Sequence, residues 1–79
     1  MTNTELLEKV IEKSGLKKNF IAKAIGLSPY GLAKKIKNKT EFKTSEVNKL
    51  CEILSISDLA EKDRIFFAKW VDLKSTNEQ

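Results

Sequence analysis

Apolar residues recur three and four positions apart along this chain and nowhere alternate over the length of a strand, so the pattern predicts helices throughout. Leu6, Leu7, Val10 and Ile11 form one face of a first helix over residues 4–14. Thr2 and Glu5 have capping-box spacing, and Gly15 suits the left-handed position that ends a helix. A second helix, from residue 17 or 18 to 25, turns Phe20, Ile21, Ala24 and Ile25 inward, and Gly26 closes it. Ser28 before Pro29 is a helix start. The hydroxyl accepts a free backbone N–H, and proline at the first helical position sacrifices no hydrogen bond. The third helix spans residues 29 to about 37, with Leu32 and Ile36 as anchors and Ala33 beside them. After a loop over 38–43, Thr44 or Ser45 caps a fourth helix with the stripe Val47, Leu50, Cys51 and Leu54, which Ile56 extends. Asp58, with Glu61 in capping-box register, opens a fifth helix that reaches about residue 73 and carries Leu59, Ile65, Phe66, Phe67, Trp70 and Val71.

These elements make an all-α fold, a compact bundle of five helices. At 79 residues the chain holds one small domain, placed at residues 1–74, with 75–79 as a disordered tail. Its core is thin and leaves little room for a deep substrate cleft. Histidine is absent and Cys51 is the single cysteine, so neither imidazole chemistry, a zinc cluster nor an internal disulfide is expected. The acids are isolated rather than paired, and three glycines build no phosphate loop. The expectation is a binding module, not an enzyme, with no cofactor, metal or small-molecule ligand. No apolar run suits a membrane span, and MTNTELLEKV lacks the basic-then-apolar layout of a leader, so a cytoplasmic protein is expected.

Charge sharpens this picture through its position. The formal net charge is +4. Residues 17–43 contain eight lysines and a single acid, Glu41, whereas the flanks are mildly acidic. A block of one sign between such flanks is either the footprint of a polyanion-binding face or a solvated lysine-rich face.

The second and third helices carry the informative spacing. Two short helices joined by Gly26-Leu27-Ser28 form a helix-turn-helix arrangement. Ala22, four residues before Gly26, lets the helices approach, Gly26 supplies positive φ, Leu27 fills the space between them, and Leu32 anchors the third helix. The stretch LKKNFIAKAIGLSPYGLAKKIKNK, residues 16–39, resembles the helix-turn-helix of the lambda repressor/Cro (XRE-like) family in Ile21-Ala22, Gly26-Leu27-Ser28, Leu32 and Ile36. The resemblance extends over about residues 4–56, and the fifth helix with Phe66-Phe67 is similar to small phage-type regulators. It implies a double-stranded DNA-binding transcriptional regulator of repressor/Cro type, bacterial or phage-encoded, whose third helix enters the major groove. Lys18 and Pro29 stand where the family often has Gln, or Gln or Arg. Proline has no side-chain donor, so base reading falls to later positions.

With Leu32 and Ile36 inward, the outer face of the third helix holds Tyr30, Ala33, Lys34 and Lys37, the expected base-contacting residues. Lysine donates to the guanine O6/N7 edge, and Tyr30 or Ala33 suits a thymine methyl. Tyr30 packing on its own domain is the alternative. Expected phosphate contacts are Lys17, Lys18, Asn19 and Lys23 on one side, and Lys35, Asn38, Lys39, Thr40 and Lys43 on the other. Neutralising about 4–6 phosphates per subunit gives a log–log salt slope near −4 to −5. Cys51 reads as a small core residue and Phe42 as a loop aromatic closing the core edge. Phe66, Phe67 and Trp70 cannot all face one way, so an aromatic left outside would mark a homodimer interface on the fifth helix. The competing reading is a protein-interaction module, an antitoxin or anti-repressor, that uses the same fold without reading DNA. Single-stranded nucleic acid is disfavoured, because of Phe20, Tyr30 and Phe42 the first is expected to be buried.

Overall fold

The structure, a computed structural model, describes residues 1–68. Five helices follow one another: α1 (Thr4–Ser14), α2 (Lys18–Ile25), α3 (Pro29–Ile36), α4 (Thr44–Ile53) and α5 (Leu59–Phe66), with no strand among the described residues. Each start and stop has a local cause. Gly15 and Gly26 adopt φ of 74° and 84° and end α1 and α2. The Leu27 N–H reaches back to the Ala22 carbonyl at 2.8 Å, which closes the end of α2. Ser28 Oγ accepts the Gly31 N–H at 3.0 Å and starts α3 at Pro29.

The core is built from Leu7 and Ile11 of α1, Ile21, Ala22 and Ile25 of α2, Leu32 and Ile36 of α3, Val47, Leu50 and Cys51 of α4, then Leu54, Ile56, Ile65 and Phe66. α2 packs on both α3 and α4, while α1 packs on α3 and α5. Leu27 and Phe42 close its edges, and the Phe42 ring stands edge-on to Phe66 with centroids 5.7 Å apart.

Several expectations are corrected. Asn3, not Thr2, caps α1, its side chain accepting the Leu6 N–H. Thr2 is buried instead, with its N–H and carbonyl both bonded to the Asn38 side chain. Helix α4 begins one residue early, with Lys43 at the cap position and its N–H held by Glu46 Oε1 at 2.8 Å. Phe20 and Ala24 are exposed, because α2 is rotated so that Ile21, Ala22 and Ile25 face inward. Periodicity allowed both phases, and the small Ala22 admits the closer approach. Helix α5 ends at Phe66 rather than near residue 73: the Ile65 carbonyl, which a continuing helix would offer to residue 69, accepts the Asn3 N–H at 2.7 Å. Trp70, Val71 and the tail expected over 75–79 lie outside the described residues.

Candidate nucleic-acid interface

Helix α3 buries Leu32 and Ile36 and turns the rest of its surface outward. Tyr30 is 75% exposed, Ala33 and Lys37 are exposed, and Lys34 is half-buried. The Lys34 ammonium lies over the Tyr30 ring, 5.4 Å from its centroid. The four expected base-contacting residues therefore share one accessible face. Tyr30 does not pack away into its own domain.

The phosphate set divides. Lys17, Asn19, Lys23, Lys39, Thr40 and Lys43 are exposed. Lys18 is exposed too, and bonds Glu8 at 2.8 Å in a solvent-facing pair that contributes little and opens easily. Two residues of the set are engaged within the domain. Lys35 reaches inward to Glu46 Oε1 at 2.6 Å, with only 13% and 9% of the two side chains exposed. Asn38 takes the left-handed conformation, φ 64°, and spends its amide on Thr2. The Lys35 ammonium is thus held in a largely buried pair, whereas exposed Asn38 keeps the second N–H of its amide. Sequence spacing gave no warning, since both partners are distant: Glu46 is eleven residues from Lys35, and Thr2 is thirty-six from Asn38.

Electrostatics explains why the largely buried Lys35–Glu46 pair holds. Burial raises the Glu46 pKa, but the Lys35 hydrogen bond, the Lys43 N–H and the two ammonium charges outweigh it, and the carboxyl sits below its ordinary value. Glu46 thus stays ionised and fixes α3 to the start of α4. The other lysines of the block, Lys17, Lys23, Lys34, Lys37, Lys39 and Lys43, have no ion pair among the described residues. Their charge remains available to a polyanion.

The dimer expectation also divides. Phe66 is buried against Phe42 and cannot form an interface, because its ring fills the core. Phe67 is 52% exposed, and Trp70 lies outside the described residues. The described residues contain no cluster of three or more metal-binding side chains and no helix long and apolar enough to cross a membrane. Burial, and Glu61 nearby, push the Cys51 thiol up despite Lys62, so it stays a protonated core group at neutral pH.

Residues 2–69 match a family described as "Protein of unknown function (DUF739)". The chain belongs to that family. No curated protein and no solved structure matches it. Helices α1 to α5, and every base- and phosphate-contact candidate, fall within the span that defines this DUF739 chain.

Proposed function

We propose that this DUF739 protein is a sequence-specific double-stranded DNA-binding regulator of repressor/Cro type, and that α2, the Gly26-Leu27-Ser28 turn and α3 act as its helix-turn-helix within a lambda-repressor-like fold. One observation carries the reading: the outward face of α3 presents exposed Tyr30, Ala33 and Lys37 with half-buried Lys34, and Lys17, Lys23, Lys34, Lys37, Lys39 and Lys43 around it have no ion pair among the described residues. An α-helix fits the major groove of B-form DNA, and its N-terminal half reads the base edges. Lys17, Lys18 and Asn19 at the start of α2 grip one phosphate strand, and Lys39, Thr40 and Lys43 after α3 grip the other. A homodimer using exposed apolar surface near Phe67 would present two such helices to two half-sites.

Gel-shift titration with the duplex upstream of its own gene, at two salt concentrations, tests this. The expected result is saturable binding with a log–log salt slope near −4 to −5 per subunit. Exposed Phe20 and Tyr30 offer stacking surface, so a single-stranded competitor belongs in the same assay. Preference for the single strand, or duplex binding only at the non-specific level of about 10⁻⁴–10⁻⁶ M, contradicts the proposal. A stoichiometric co-purifying protein together with that weak binding would favour the interaction module.

A further inference from the structure

Tyr30 and Lys34 lie four residues apart on α3, one turn along the same face. Helical side chains lean toward the N-terminus, so Lys34 reaches back over Tyr30 rather than out along the helix. The geometry bears this out: the ammonium stands 5.4 Å from the ring centroid, while the ring itself is 75% exposed. Nothing else among the described residues binds either group, for Lys34 has no carboxylate partner and Tyr30 no hydrogen bond through its hydroxyl. Pro29 at the first position and Gly31 at the third leave the N-terminal turn of α3 with no other long side chain.

Resting on the DNA-binding reading above, we infer that Tyr30 and Lys34 form one composite reader, in which the aromatic ring positions the ammonium for a guanine and itself covers a neighbouring thymine methyl. The chemistry selects these bases. An ammonium donates to guanine N7 and O6 in the major groove, where adenine offers N7 beside a donor that repels it. The ring has one face toward the cation, and its remaining apolar surface suits the thymine C5-methyl. A free lysine is a mobile point charge on a four-carbon stem, and holding it over a ring lowers the entropy lost on contact. Tyr30 is therefore a positioning residue for Lys34 through its ring, not through its hydroxyl. Lys35, one position on, points the other way into its pair with Glu46 and has no part in reading.

The test uses the full chain and the tightest duplex selected from a random pool, resynthesised with 7-deazaguanine or deoxyuracil at single positions. These base analogues delete guanine N7 or the thymine methyl without altering the protein. The wild type should lose about tenfold in affinity at one 7-deazaguanine position, with a deoxyuracil-sensitive thymine adjoining it. Lys34→Met should abolish the 7-deazaguanine effect. Tyr30→Leu should reduce it by about threefold to fivefold, the worth of an exposed cation–π contact, and Tyr30→Phe should leave it intact. A merely structural Tyr30 would lower affinity for all duplexes alike and leave the 7-deazaguanine ratio unchanged. Helical circular dichroism confirms that each variant is folded. An unchanged ratio in Tyr30→Leu, or loss of it in Tyr30→Phe, overturns the composite reader while leaving DNA binding standing. Failure to select any duplex overturns both.

Discussion

Lys34 and Lys35 are neighbours in sequence and opposites in placement. Lys34 lies over an exposed ring on the outer face of α3, whereas Lys35 is drawn inward to a buried carboxylate that also caps α4. The same division separates the two halves of the molecule. The outer surface around α2, the turn and α3 carries Lys17, Lys23, Lys34 and Lys37, none of which has an ion pair among the described residues. The inner side, where α3 packs on α1 and α2, is closed by apolar packing, the Lys35–Glu46 pair to α4 and the bonds of Asn38 to Thr2. Buried contacts and exposed side chains thus lie on opposite sides of one eight-residue helix, and under the proposed function substitutions on the two sides should fail in different ways.

The largest expected effect is on the inner side of α5. Phe66→Ala should cost about 3–4 kcal/mol in denaturant unfolding, since it empties the space beside Phe42. Phe67→Ala should stay within about 0.5 kcal/mol for the isolated subunit, and weaken only self-association if that surface joins two copies. Equal costs would erase the distinction between them. Next, Glu46→Ala should destabilise by about 3 kcal/mol, because it strands a largely buried ammonium and frees the Lys43 N–H. The same carboxyl sets a pH dependence. Its folded pKa lies below the unfolded one, so its contribution is fully present above the unfolded carboxylate range, about pH 4–5, and is lost as pH falls through the lower folded value. Glu46→Gln should flatten that acid limb in pH-dependent melting. Gly26→Ala should cost about 1 kcal/mol for its positive φ alone, as no atom crowds the added Cβ. Smallest on the stability scale, Lys34→Ala and Lys39→Ala should leave melting nearly unchanged while affecting DNA. The first should lose about 1–3 kcal/mol on its best site with relaxed preference, and the second should lose less, equally on all duplexes.

Much of the fold was legible because its signals are local. Gly15, Gly26 and Ser28-Pro29 mark the first three helices by backbone chemistry that any neighbour respects. The apolar stripes of α1, α3 and α4 followed from periodicity. Where two phases fitted, as for Phe20 against Ala22, the choice belonged to the packing of α2 between α3 and α4. The end of α5 was hidden because a carbonyl near its C-terminus is claimed by Asn3, from the other end of the chain. The candidate site shows the same limit. The outward set on α3 could be read from the helical wheel, but the intramolecular partners of Lys35 and Asn38 could not, since they are brought near only by folding.

Amide chemical-shift mapping of the full chain, titrated with its selected duplex, bears most directly on the central claim. Perturbations should gather at residues 17–19, 30–37 and 39–43, and α5 should stay quiet apart from any shifts due to self-association. Perturbations centred on α1 and α5, with residues 30–37 unchanged while the duplex is bound, would contradict that claim.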